Sequence, residues 1–185
     1  MNEGKEVSTT EYSIRRMEES DLPAVRELLA DARVMRFLEP PYSPEQARSF
    51  LRKAGLSEPP LIYAAEDRSG RFLGYVIYHP FDARSMEIGW VLRPSAWGKG
   101  VASELTRMLI ARAAQEGKAA VIECSPEQAA TRRIAAKFGF SPVGEEGGLL
   151  IYRLHATQRP PSGAFPRGDG EYLRPSRNTH REEEG

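Results

Sequence analysis

The stretch from Met86 to Gln115 constrains the fold more than any other. MEIGWVL alternates with period two, as a strand does, while VASELTRMLIARAAQ repeats its apolar residues at helical spacing. Only RPSAWGKG, with Pro94 and the glycines Gly98 and Gly100, lies between them. A strand passing through a short loop directly into a helix is the opening of a strand–helix–strand unit. The chain therefore falls in the α/β or α+β class, with a mixed sheet.

The flanking sequence fills in the order of elements. YSIRRM alternates like a strand from Tyr12 to Met17, and a helix follows from Ser20, its N-cap, with Leu22, Val25, Leu28 and Leu29 as its apolar stripe. SPEQARSFL opens a second helix, with Ser43 as N-cap, Pro44 in the first turn and Gln46 closing a capping box. LIYAAED, FLGYVIYH and MEIGWVL then read as three successive strands. The helix after the glycine loop runs to about Glu116 and ends at Gly117. AAVIEC is a strand, SPEQAATRRIAAKF a helix, and two short strands close the domain at LLIYRL. The string SPEQA occurs at Ser43 and again at Ser125, which reads as a shared way of starting a helix. Antiparallel N-terminal strands thus precede a β-α-β-α-β unit.

The 185 residues are enough for one domain with a real core, placed here at 11–155. Residues 1–10 and the Pro-, Gly-, Arg- and Glu-rich residues 156–185 bury too little to offset their ordering entropy and are expected to be mostly disordered. Lys plus Arg number 26 and Asp plus Glu 26, so the net charge is zero and no nucleic-acid partner is indicated. Cys124 is the single cysteine, which excludes an internal disulfide and suits the cytoplasm. The N-terminus has no apolar core of a signal peptide, and no apolar run approaches the roughly 18 residues that cross a bilayer. His155 and His180 have no companions at metal-ligand spacing, so no metal is expected.

What the glycine loop holds decides the chemistry. A Walker loop fails, because Lys99 precedes Gly100 and Val101 follows it. A dinucleotide fingerprint is supported by Gly98, Gly100 and an acid at Glu123, but Ser103 stands where its third glycine belongs. The remaining reading is a short anion loop from Trp97 to Ala102. Free N–H groups at a helix start converge on an anion, the helix dipole adds roughly half a positive charge, and glycine lets a phosphate approach the backbone. The residues alone leave an ordinary glycine turn equally open.

EIGWVLRPSAWGKGVASE followed by SPEQAATRRIAAKFGF resembles the GCN5-related N-acetyltransferase (GNAT) superfamily, and most closely its branch of ribosomal-protein-alanine N-acetyltransferases. The resemblance runs from about Tyr12 to Leu154. It implies a GNAT-like acyl-CoA N-acyltransferase fold and acetyl-CoA as cofactor. It implies that Trp97, Gly98, Lys99, Gly100, Val101 and Ala102 bind the pyrophosphate of acetyl-CoA, and that Val91, Leu92 and Arg93 bond its pantetheine by backbone. Gln128 and Thr131 take the places that line the cofactor, and Lys137 to Phe140 matches the family's Lys-x-Gly-Phe. Two departures stand out: Trp97 replaces a frequent Gln or Arg, and Ala135 falls where the family often has its tyrosine acid.

Acyl transfer needs a neutral amine, and a lysine-like amine with a pKa near 10.4 is scarcely neutral at pH 7 without a base. Alternation places Met86, Ile88, Trp90 and Leu92 on one face of their strand, and Glu87, Gly89 and Val91 on the other. Among apolar neighbours Glu87 is expected to have a raised pKa suited to base work. Family members with Glu at this point use it so. For the acid the candidates are Tyr152 first, then Cys124, Ser125 and His79. The acceptor wall is expected in Val34 to Ser43, with Arg36, Glu39 and Tyr42 facing a small-molecule or peptide amine. Dimers are common in the family, so a homodimer is an option. The function implied is N-acetyl transfer to a primary amine by direct attack in a ternary complex. The rivals are a non-catalytic acyl-CoA-binding module, a dinucleotide-binding oxidoreductase and an acetylating toxin directed at aminoacyl-tRNA.

Overall fold

Alternating strands with apolar residues on both faces need cover on both sides, and the helices provide it. The computed structural model describes residues 7–8 and 11–155. The disorder expected at 1–10 and 156–185 falls outside those residues, except that Val7–Ser8 form a short strand. In chain order the elements are β1 (Val7–Ser8), β2 (Tyr12–Arg15), α1 (Leu22–Ala30), α2 (Ala32–Met35), α3 (Pro44–Phe50), β3 (Ile62–Asp67), β4 (Phe72–Asp82) and β5 (Ser85–Leu92). After the glycine loop come α4 (Val101–Gln115), β6 (Ala119–Cys124), α5 (Ala129–Lys137), β7 (Ser141–Glu146) and β8 (Leu149–Leu154). The strands form one eight-stranded sheet in the order β1-β2-β3-β4-β5-β6-β8-β7. Among the described strands only β5 and β6 run parallel, joined by α4 as the crossover. This is the mixed α/β architecture that the sequence implies.

The helices α1 to α3 pack on one face, where Val25, Leu28, Leu29, Ala47 and Leu51 meet Ala64, Tyr75 and Val91. On the other, α4 and α5 set Leu105, Leu109 and Ala135 against Val76, Ile88, Leu92 and Ile122. Leu105 and Leu109 are fully buried, and such burial contributes on the order of 2 kcal/mol per side chain. The alternation read in MEIGWVL holds: Met86, Ile88 and Leu92 join the α4 side and Val91 the α1 side. Helix α4 ends as expected at Gly117, whose left-handed φ of 69° turns the chain so that the Lys118 N–H donates back to the Ala113 carbonyl at 2.9 Å.

Two helix starts differ from the sequence reading. Ser20 is not an N-cap, because the chain first makes a 3-10 turn over Glu19–Asp21 and α1 begins at Leu22. Asp21 is drawn inward instead, accepting from the Glu18 N–H at 2.8 Å and from Arg15 at 2.7 Å. The second SPEQA also behaves unlike the first. At Ser43 the helix starts directly at Pro44, whereas Ser125 to Gln128 form a turn and α5 begins only at Ala129. Both copies share two contacts, a serine N–H donating to the glutamine Oε1 at 2.7 Å and the serine hydroxyl donating to the glutamate two residues on.

The feature that positions the site is where pairing stops. β5 and β6 are in register only at Ser85–Ala119, Met86–Ala120 and Glu87–Val121. Beyond Glu87 both strands continue, to Leu92 and to Cys124, without pairing each other. A wedge therefore opens in the sheet. Gly74 on β4 pins one wall: it pairs with Leu92 at φ 149°, and a Cβ there would clash with backbone, 2.1 Å from the Val91 carbonyl oxygen and 2.8 Å from Leu92 Cα.

Candidate active site

Glu87 stands at the apex of this wedge, in the last paired position of β5 and β6. Its side chain shares the α1–α3 face with Gly89 and Val91, opposite His79, Ile77 and Tyr75 on β4. The surroundings are not purely apolar as the sequence suggests. His79 Nε2 lies 3.4 Å from Glu87 Oε2, with the two side chains only 16% and 19% exposed. His79 Nδ1 is 3.1 Å from the Pro80 carbonyl oxygen. Period two alone places Glu87 on its face, but the histidine enters through the β4–β5 hairpin register.

The mouth of the wedge is the glycine loop. A 3-10 turn over Pro94–Ala96 buries Ala96 in the α4-side core and delivers the chain to Gly98 and Gly100, at φ 70° and 81°. No atom from beyond the adjoining residues lies within 4 Å of where a Cβ would stand at either glycine. Gly100 directly precedes α4, and no side chain caps the helix start. The N–H groups of its first turn thus face outward beside exposed Gly98, Lys99 and Gly100, which forms a cradle for an anion. Val101 is buried and Ala102 packs on the core, so both offer backbone rather than side chain. Trp97 is 47% exposed, yet its indole N–H donates to the Leu92 carbonyl at 2.8 Å, fastening the loop to β5.

The backbone positions expected to line the wedge are not equivalent. Arg93 is fully engaged, its N–H donating to Leu73 O and its carbonyl accepting from Ala96, both at 2.9 Å. Strand alternation turns Val91 toward β4 in the same way and leaves Leu92 facing the opening. Just before α5, Gln128 Oε1 is occupied by the Ser125 N–H. Thr131 lies half-buried one turn into the helix. Lys137 Nζ reaches Ser103 Oγ at 3.3 Å, tying the end of α5 to the start of α4.

Tyr152, expected as the acid, is not brought to Glu87. It pairs with Ile122 and packs on the α4-side core, whereas Glu87 lies beside Val121 and points to the opposite face, so the sheet separates them. Ala135, where the family often has its tyrosine, is completely buried in that same core. Cys124 is buried as well, and burial pushes its thiol up. The Ser125 hydroxyl bonds Glu127. Of the acid candidates only His79 adjoins Glu87. Among the described residues no cluster of three His, Cys, Asp or Glu is arranged to hold a metal, and no helix is long and apolar enough to cross a membrane.

The acceptor segment approaches the same face through aromatic rings. The Tyr42 hydroxyl donates to Glu39 at 2.9 Å, and burial together with that carboxylate pushes the phenol up to about 12. Tyr42 packs on Phe50 with ring centroids 6.0 Å apart, and Phe50 on Tyr75 at 5.5 Å. Tyr75 stands on β4 in line with Ile77 and His79. Arg36 lies over the ring of exposed Phe37, away from that chain of contacts. The sequence offers His79 only as the last of the acid candidates and does not single out Phe50, Tyr75 or Gly74, because each acts through a partner far along the chain.

Known proteins share this fold. Residues 12–141 match the acetyltransferase (GNAT) domain family. A protein named as an uncharacterized N-acetyltransferase, YnaD of Bacillus subtilis (strain 168), is 28% identical over 145 residues, covering 75% of this chain and 84% of its own length. A GNAT-family acetyltransferase from Bacillus anthracis superposes with a TM-score of 0.74 at 23% identity, covering 82% of this chain and 99% of that one. RimL, a ribosomal L7/L12 α-N-protein acetyltransferase solved in complex with coenzyme A, gives a TM-score of 0.71 at 20% identity, covering 82% and 98%. With the split sheet and the anion cradle at its mouth in place, the family match over most of the domain leads to one conclusion: this chain belongs to the GNAT family and is an acetyl-CoA-dependent N-acetyltransferase.

Proposed function

We propose that the amine attacks acetyl-CoA directly while both are bound, with Glu87 as the base at the apex of the wedge. The observation that carries this reading is the end of β5–β6 pairing at Glu87, which leaves a slot between two strands with a carboxylate at its closed end and the cradle at its mouth. The residues present fit the cofactor. Two left-handed glycines without neighbours and an uncapped helix start suit a diphosphate, and the Leu92 edge suits an amide-bearing arm. Bound acetyl-CoA supplies an activated acyl carbon whose C–S bond opens as the C–N bond forms.

The chain's own residues do the rest. Amides of Gly98 to Ala102 hold the diphosphate, with Lys99 adding charge at the exposed rim. Trp97 holds the loop against Leu92 and so sets the depth at which the thioester enters. Glu87 removes a proton from the incoming ammonium. A departing thiolate has an ordinary pKa near 8.5, so it needs no strong acid, which agrees with Tyr152 lying across the sheet. Tyr42 and Glu39 form the acceptor wall, Glu39 offering a carboxylate to a cationic amine, small or at a peptide terminus. We place the enzyme in the cytoplasm on the strength of its single buried cysteine. A homodimer is the quaternary state to test by light scattering.

The experiment is thiol release from acetyl-CoA across peptide, polyamine and aminoglycoside panels. Glu87→Gln is expected to lower kcat by 10²- to 10⁴-fold, the usual range for a lost general base, with acetyl-CoA affinity unchanged by calorimetry. A variant with full kcat at neutral pH removes Glu87 from this role. Binding of acetyl-CoA with no turnover on any amine would favour a non-catalytic module.

A further inference from the structure

We infer that His79 completes the proton-accepting site, so that the base is the Glu87–His79 pair rather than the carboxylate alone; the inference rests on the reading of Glu87 as base. A carbonyl oxygen only accepts hydrogen bonds. The 3.1 Å contact between His79 Nδ1 and the Pro80 oxygen therefore fixes the proton of a neutral ring on Nδ1. Nε2, 3.4 Å from Glu87 Oε2, then presents a lone pair to a carboxylate that also carries only lone pairs. The two repel until one proton lies between them. Each side chain is less than one-fifth exposed, so water screens this repulsion poorly. A proton placed there is held by both atoms, so the two groups gain and lose it as a unit.

Other charges lie near the pair. On the same face, Arg153 of β8 binds Asp82 at the end of β4 at 2.9 Å. Glu123 of β6 has a partner of its own. From α1, Glu27 is held by Arg93 at 3.1 Å. β3 begins at Ile62, opposite Ile77, and so stops short of His79.

In the step itself, one N–H bond of the ammonium breaks and its proton comes to lie between Glu87 Oε2 and His79 Nε2. The amine nitrogen bonds the acyl carbon and loses a second proton to water. As the C–S bond opens, the sulfur leaves with the bonding pair and takes the proton held by the pair, which returns to its starting state. His79 is thus the second half of the proton-accepting site.

The test is the pH profile of kcat/KM with one amine throughout, for wild type, His79→Gln, Glu87→Gln and the double variant. Glutamine can donate a hydrogen bond to Glu87 but cannot take its proton. In His79→Gln the acid limb is expected to move down by about one pH unit or more. The plateau kcat is expected to fall about tenfold, and KM for acetyl-CoA to stay within about twofold. Adding His79→Gln to Glu87→Gln is expected to cause no further loss. An acid limb that stays in place while Glu87→Gln remains impaired overturns the pair and leaves Glu87 as the base. Full activity of Glu87→Gln overturns the underlying reading, and the pair with it. Should His79→Gln misfold, the ¹⁵N resonance of His79 Nε2 is titrated in wild type and Glu87→Gln. Titration midpoints that differ support the pair, and coincident ones refute it.

Discussion

Gly74→Ala probes the wall of the wedge from outside the chemistry. Gly74 has φ 149°, and a Cβ there would lie 2.1 Å from the Val91 carbonyl oxygen and 2.8 Å from Leu92 Cα. Ordinary carbon contacts begin near 3.5 Å, so β4 and β5 must part by on the order of 1 Å at this point. Both clashing groups are backbone and cannot rotate away. Overpacking and an unfavourable backbone conformation each cost about 1–3 kcal/mol, so a loss of about 2–4 kcal/mol is expected. For a domain of this size that lowers Tm by roughly 5–15 °C. Since Leu92 lines the wedge and accepts the Trp97 bond, a displacement of about 1 Å should also cut kcat/KM for acetyl-CoA by about 10- to 100-fold. Differential scanning calorimetry and thiol release read the two effects. A Gly74→Ala protein with wild-type Tm and kcat/KM would refute the claim that this close approach sets the wall.

Gly100→Ala introduces a side chain at φ 81°, where nothing lies within 4 Å, so it is expected to cost only about 1–2 kcal/mol of conformational strain in denaturant unfolding. Its main effect is expected in calorimetry, as weaker acetyl-CoA binding; valine, which is β-branched, is a poorer probe there because strain would mix with the loss of the site. Burial by itself pushes the Asp21 carboxyl up, but Arg15 and the Glu18 N–H outweigh it and hold the group below its ordinary value. A depressed carboxylate contributes stability above its unfolded pKa and loses it as pH falls through the folded one, so thermal stability should decline from below about pH 4 downward. Arg15→Met leaves Asp21 buried without its cation and is expected to lose about 2–4 kcal/mol at pH 7 with a flatter acid decline; an unchanged Tm-against-pH curve would contradict this.

The parts legible in the sequence are those in which one residue's neighbours on the chain decide its environment. The alternation of β5 sorts Glu87 from Ile88 because both faces of that strand are covered, and Gly117 ends α4 because only local geometry is at stake. The glycine loop shows itself for the same reason. Features that depend on partners brought in by register are hidden from such a reading. The facing of His79 on Glu87 requires the β4–β5 hairpin to be aligned to the residue, and a slip of one would turn the histidine to the other face. Tyr152 looks like a site tyrosine until the order β6-β8-β7 and the Ile122 pairing place it on the α4 side. The two SPEQA strings make the limit concrete. Identical residues keep the same serine–glutamine contact, yet their backbones diverge, because the first string runs straight into α3 while the second must first leave β6.

The most direct measurement is an amide ¹⁵N–¹H titration of the labelled protein with coenzyme A. The account predicts that the largest saturable shifts fall on Gly98, Lys99, Gly100, Val101 and Ala102, with the Leu92 edge moving next. Saturation of the protein by coenzyme A with those five amides unmoved, and shifts gathered elsewhere, would contradict it.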